Sequence, residues 1–174
     1  HDVARRRVPR LGMILAPRHP DRGDALAAEM RAHGVNVAQR SAGEEPDADT
    51  DVYLADTLGE MGLWYRVAPV SFVGGSLAEV GGHNPFEPAL LGSAILHGPH
   101  VRNFADAYAR LGDAGAAVEV TDAASLGQAL TATLEPDRAA RMATAGWEAC
   151  SDGADVTDLV LDAIGAVLDR ADPV

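Results

Sequence analysis

The chain has 174 residues, 47% of them hydrophobic and 23% charged, which is the composition of a globular protein and long enough for one domain with its own core. Its formal net charge of −12, its lone cysteine Cys150 and its lack of lysine exclude an internal disulfide, leave no thiolate cluster for zinc, and oppose binding to nucleic acid, which relies on a basic surface releasing counterions. No apolar run approaches the roughly 20 residues that span a bilayer. The opening HDVARRRVPR has no apolar stretch behind its arginines to act as a signal peptide, so a soluble segment in a reducing, cytoplasmic setting is expected. Charge is distributed unevenly. Residues 1–40 hold eight of the 14 arginines against four acids, a balance of +4, and the remainder stands at −16. A small anionic ligand is therefore expected near the first segment, although Arg5, Arg6 and Arg7 read equally well as a solvated basic face.

Short apolar runs alternate with helical patterns, the sign of βα units on a parallel sheet. The first strand is expected over 11–16, followed by a Pro-Arg-His-Pro loop, a helix over 21–33 and Gly34 as its stop. A second strand covers 35–39, a polar loop 41–49, and a third strand 52–54. Asp56 and Thr57 then precede a helical pattern over 59–67, with Met61, Trp64 and Tyr65 at core spacing. A fourth strand occupies 70–73. The stretch GGSLAEVGGHNPFEPALLG follows it and leads into a short helix from near Asn84. The rest reads as a strand over 94–96, a helix over 104–114, a strand over 117–120 and helices over 123–134, 138–150 and 155–170. Six strands of this kind make a doubly wound, Rossmann-like α/β sheet with helices on both faces, and its ligands lie at the carboxyl ends of the strands.

Three loops stand at such ends. Gly81-Gly82-His83-Asn84-Pro85-Phe86-Glu87-Pro88 joins glycines, which let a ligand approach the backbone closely, to a helix start with unpaired N–H groups. The same residues also satisfy a capping-box reading, with Asn84 as the cap, Pro85 at the first helical position and Glu87 reaching back. That reading leaves the glycine pairs Gly74-Gly75 and Gly81-Gly82 unexplained. Glu87 is open to both roles, cap or acceptor for ribose hydroxyls. After the first strand, Pro17-Arg18-His19-Pro20 offers a guanidinium fork for phosphate or carboxylate, with His19 as a second donor or a simple loop residue. Third comes Asp56-Thr57-Leu58-Gly59-Glu60-Met61, which by itself reads as a helix start carrying an N-terminal acid. His97 and His100 flank Gly98 and Pro99 with no acid close by in sequence, a poor metal site. The chain has no GxxxxGK[ST], no GxGxxG after a strand and no GxSxG, so Ser76 reads as a loop hydroxyl.

Taken together, APRHPDR at 16–22, DTLGEMG at 56–62, FVGGSL at 72–77, GGHNPFEPALLG at 81–92 and GPHVRNF at 98–104 resemble, in order and spacing, the C-terminal domain of the 3-deoxy-manno-octulosonic acid (Kdo) transferases. The resemblance implies the C-terminal, donor-binding half of a GT-B glycosyltransferase of lipopolysaccharide synthesis. Such an enzyme takes Kdo from CMP-Kdo to a lipid A precursor, with inversion, without a metal and without a cofactor. It implies that CMP is held by Pro17 and Arg18, by Gly59, Glu60 and Met61, and by Asn84, Pro85, Phe86 and Glu87; His19 and Gly82, singled out from the loops themselves, complete the expected nucleotide-binding set. The family's catalytic base, acceptor groove and membrane anchor belong to an N-terminal domain, so no catalytic residue is expected within residues 1–174. This segment by itself is expected to be inactive, with the intact enzyme at the cytoplasmic face of the inner membrane. Where family members often carry a basic residue between the glycine pairs, this sequence reads Ala78-Glu79-Val80. A GT-B domain for a UDP-sugar and a non-catalytic nucleotide-binding module are the alternatives.

Overall fold

The computed structural model describes residues 1–151, and the helix expected over 155–170 lies outside them. Six parallel strands form where the apolar runs stand, trimmed at their ends: β1 Met13–Leu15, β2 Val37–Gln39, β3 Val52–Leu54, β4 Val70–Val73, β5 Ala94–His97 and β6 Ala117–Glu119. They make two three-stranded sheets, ordered β1-β3-β2 and β4-β5-β6. Among the described residues no ladder joins the two, where the sequence pointed to one continuous sheet. Each sheet instead has its own central strand. In β3, Val52, Tyr53 and Leu54 are all buried, and in β5 Ala94, Ile95 and Leu96 are completely so. Strands covered on both faces are unbroken apolar runs, which is how these two read in the sequence.

The helices are α1 Asp2–Arg5, α2 Gly23–Ala32, α3 Met61–Val67, α4 Phe86–Leu90, α5 Ala105–Asp113, α6 Ala123–Thr133 and α7 Pro136–Ser151. Single 3-10 turns, Pro20–Arg22 and Arg102–Phe104, precede α2 and α5, so both helices begin a residue or two later than their patterns alone imply. The helix α1 has no counterpart in the sequence reading, because four residues are too few to show a period. It packs on α6, where Gly127 makes room for Val3. Arg5 forms an ion pair with Asp51 just before β3, so it is not part of a merely solvated face, while Arg6 and Arg7 are exposed.

The main core gathers Val73, Ala89, Ile95, Tyr108, Leu111, Ala116 and Ala149 from β4, α4, β5, α5, the turn before β6 and α7. Small residues set its spacing: a Cβ on Gly146 of α7 would lie 3.4 Å from the methyl groups of both Ala116 and Ala89. The other tight contact is at the start of α2, where Gly23 lies against the carboxylate of buried Asp56 at the carboxyl end of β3. Any side chain there drives into that carboxylate. Gly23→Ala should therefore destabilise the chain by about 1–3 kcal/mol, the usual range for overpacking. The control is Gly112→Ala on α5, where nothing lies within 4 Å of the added methyl and helix propensity gives up to ~1 kcal/mol of stabilisation. Urea unfolding of both variants checks the pair.

Candidate functional site

At the carboxyl edge of the first sheet, three consecutive residues at the end of β2 reach across to the loop that follows β3. Gln39 Nε2 donates to Asp56 Oδ2 at 2.8 Å and to Asp24 Oδ1 of α2 at 2.8 Å. The Ser41 hydroxyl and N–H donate to Asp56 at 2.7 and 2.9 Å. Burial pushes the Asp56 carboxyl up, but the Ser41 and Gln39 hydrogen bonds outweigh it and hold the group below its ordinary range. A buried carboxylate costs stability unless donors surround it, and here they do.

Between them, Arg40 turns outward and forks onto Glu60, with Nη2 to Oε1 at 2.8 Å and Nε to Oε2 at 3.2 Å. The Thr57 hydroxyl donates to the same Oε2. Arg40, then Thr57, holds the Glu60 carboxyl below its usual range, and Glu60 in turn raises the guanidinium. The intervening Gly59 has φ +86°, a conformation that favours glycine and lets the turn close.

In the second sheet the glycine pairs have a structural cause. Ser76 is completely buried, donating to Val73 O at 2.6 Å and accepting from Gly98 N–H at 2.9 Å. The loop then folds back, with Gly82 N–H donating to Gly75 O and Asn103 N–H to Gly81 O. Gly81 and Gly82 have φ +108° and +75°; a Cβ on Gly81 would strike the Asn103 amide at 2.6 Å, and one on Gly82 would meet Val101 Cα at 3.2 Å. Gly82 is thus spoken for by packing, and its N–H is already bonded. The N–H groups of Ser76 and Leu77, by contrast, donate to no acceptor among the described residues.

The helix start differs from the capping box that the sequence allowed. Helix α4 begins at Phe86 with Pro85 in the cap position. Asn84 Oδ1 accepts from Phe86 N–H at 3.0 Å, so Asn84 does cap, but the reciprocal bond from Glu87 is absent. With Glu87 only the second residue of α4, its carboxylate is left exposed and without a hydrogen bond among the described residues. It stands near Tyr65 of α3, whose phenol is raised by burial first and by the Glu87 charge second. Tyr108 is raised by its own burial and by Tyr65, and its hydroxyl donates to His83 O at 2.8 Å.

The structure thus groups the site residues in three ways. Glu60 and Met61 at the start of α3 and Glu87 on α4 are carried by helices that pack together, with Gly62 facing Leu91. Pro85 is fully buried and Phe86 packs on the core, so both support the loop. Arg18 and His19 are exposed after β1, and the hydrogen bonds of Glu60 go to Arg40 and Thr57, not to Arg18. Gln39, Arg40 and Ser41 went unnoticed in the sequence; the only signal was a polar triplet closing an apolar strand. Among the described residues no cluster of histidine, cysteine and acidic side chains is arranged to hold a metal, and no helix is long and apolar enough to cross a membrane.

Parallel strands, interleaved helices and polar loops gathered at the strands' carboxyl ends define a Rossmann-like α/β domain. No protein-family model matches the chain. It is 44% identical over 160 residues to a 3-deoxy-D-manno-octulosonic acid transferase of Bordetella pertussis, covering 90% of this chain and 37% of that protein. With the transferase of the same name from Haemophilus influenzae it shares 32% over 172 residues, covering 98% and 40%. Its fold is similar to the crystal structure of the C-terminal CMP-Kdo binding domain of WaaA from Acinetobacter baumannii, with a TM-score of 0.68 and 35% identity over 78% of this chain and 73% of that one. The chain belongs to the 3-deoxy-D-manno-octulosonic acid transferase family, and spans about two fifths of the length of these two full-length relatives.

Replacing Asp56 tests the edge directly. Its folded-state pKa is depressed, so the stability it contributes is present above the ordinary aspartate value of ~3.9 and is lost as pH falls through the lower folded value. Asp56→Asn, which cannot accept from three donors as a carboxylate does, should cost about 1–3 kcal/mol near neutral pH. It should also flatten the fall in stability below about pH 4. Denaturant titrations from pH 7 down to 3 check both effects.

Proposed function

We propose that this chain is the donor-binding domain of a glycosyltransferase that moves Kdo from CMP-Kdo to a lipid A precursor at the cytoplasmic face of the inner membrane. The observation that carries this reading is the likeness, 35% identical at a TM-score of 0.68, to a domain described as CMP-Kdo binding. The side chains left without partners agree with it. Arg18 is an exposed guanidinium in the loop after β1, suited to a charge-assisted fork on the CMP phosphate. The N–H of exposed Leu77, in the loop after β4, offers a backbone donor to the same anion. Glu87, exposed and not engaged in a capping box, is suited to accept from the two ribose hydroxyls. Pro17, Gly59 and Met61 border these groups in sequence and supply close backbone and apolar contact.

The chemistry asked of these residues is positioning and charge stabilisation. As the bond from the anomeric carbon to the phosphate oxygen breaks, negative charge grows on the CMP phosphate, and fixed donors there stabilise it most in the transition state. The base that activates the acceptor hydroxyl, and the groove for the lipid A precursor, are assigned to the N-terminal domain of the intact enzyme.

Calorimetric titration tests the reading. The chain should bind CMP more tightly than UDP, and Arg18→Ala should weaken CMP by at least ~10-fold, the value of one charge-assisted hydrogen bond of about 1.5–3 kcal/mol. Failure to bind CMP at millimolar ligand, or a preference for UDP, would contradict it. Glu87→Gln separates site from scaffold. Its stability should stay within about 0.5 kcal/mol of the native chain, as for any exposed unpaired side chain, while CMP affinity drops several-fold. Unchanged affinity would remove Glu87 from the site.

A further inference from the structure

We propose that Arg40 is a positioning residue of the nucleotide site, acting through Glu60 to fix the turn over residues 57–61 so that its backbone, and not the Glu60 carboxylate, reads the cytosine base. The proposal rests on the nucleotide reading above and adds a residue and a mode of recognition to it. Glu60 is one of the residues that the motif singles out, yet its carboxylate is already engaged. Both oxygens accept from Arg40 and one accepts also from Thr57. A carboxylate has about four acceptor positions, and three of them are filled from within the chain. Its side chain is only 26% exposed.

The backbone beside it is in the opposite condition. Residues 58–60 turn through Gly59 at φ +86°, and Leu58 at the tip is 83% exposed. The N–H groups of Leu58, Gly59 and Glu60 and the carbonyls of Leu58 and Gly59 have no hydrogen-bonding partner among the described residues. A turn held from behind that presents carbonyls and N–H groups together can complement the edge of cytosine, one amino donor beside the two acceptors N3 and O2, where uracil places a donor at N3. The fork holds this turn from β2, the outer strand of its sheet. A guanidinium is suited to that task because its two donors bind both oxygens of one carboxylate and set its plane, which a single ammonium does not do.

Specificity is the readout that separates positioning from mere support of the fold, since a turn that reads the base must discriminate between bases. Arg40→Met, Arg40→Lys, Glu60→Gln and the double variant Arg40→Met/Glu60→Gln are titrated with CMP and with UMP, each shown folded by circular dichroism at the temperature used. Arg40→Met should lose about 10-fold in CMP affinity and bring the CMP-to-UMP ratio close to one. Arg40→Lys should not restore the ratio, and the double variant should be no weaker than Arg40→Met. Should Arg40→Met fail to fold, Thr57→Val, which removes the third donor on Glu60, carries the same comparison. Native affinity and ratio in Arg40→Met would overturn the proposal. So would a Glu60→Gln loss of equal size in the native and Arg40→Met backgrounds, which means the carboxylate touches the nucleotide itself. Failure of the native chain to bind CMP sinks the site assignment, and this proposal with it.

Discussion

A buried carboxylate organises one half of this molecule. Asp56 is 5% exposed at the end of the central strand β3, and an ion in that position must be surrounded by donors or it unfolds its surroundings. Its requirements propagate outward. The residues flanking Arg40 at the end of β2 must be donors, which Gln39 and Ser41 are. The helix that begins beside it must start without a side chain, which is why Gly23 stands there. Gln39 then ties in Asp24 one residue further on. With Gln39 and Ser41 turned inward, Arg40 between them faces the other way in the alternation of an extended strand, and there it meets Glu60. Strand register, helix start and the outer turn are thus consequences of satisfying one group.

The second sheet reaches a comparable rigidity by other means. Its loops are fixed by backbone contacts at glycines and by one buried hydroxyl, Ser76, bonded both to its own strand and to Gly98 after β5. Charged side chains take little part. That difference leaves the two edges with different resources. The first holds Asp56 and Glu60 in internal bonds and leaves Arg18 and the backbone of residues 58–60 open, while the second leaves the Leu77 N–H and the Glu87 carboxylate without a partner among the described residues. The proposed division of labour follows from it, with side-chain scaffolding behind the base and open donors and acceptors near phosphate and ribose.

The strands were legible in the sequence because the physics that forms them is local. β3 and β5 are apolar runs between turn residues, and all six strands fall inside or within one residue of the runs that announce them. What could not be read depended on distant partners. Asp56 and Gln39 are 17 residues apart and Arg40 and Glu60 are 20 apart, so neither pair leaves a pattern at helix or strand period. The glycine pairs were visible but ambiguous. Positive φ and close backbone approach serve packing as well as ligands, and at Gly81 and Gly82 the space is taken by Asn103 and Val101. At Asn84 and Glu87 the capping signature was half right. The asparagine caps, but the helix begins at Phe86, which puts Glu87 too early to reach back. The motifs that carried the family resemblance were the most legible of all, and they coincide with the loops at the strands' carboxyl ends.

In the proposed function the donor nucleotide lies across the loops that follow β1, β3 and β4. Two concavities lie away from those loops, one lined by Arg31, Asn36, Glu44 and Thr50 and the other, which shares Phe86 with them, by Arg102, Phe104 and Arg110. Mapping amide shifts by NMR in an isotope-labelled sample titrated with CMP distinguishes them in one experiment. The account predicts the largest shifts at Arg18, Gly59, Met61, Ser76, Leu77 and Glu87. Shifts concentrated instead around Asn36 and Thr50, or around Arg102 and Arg110, would contradict it.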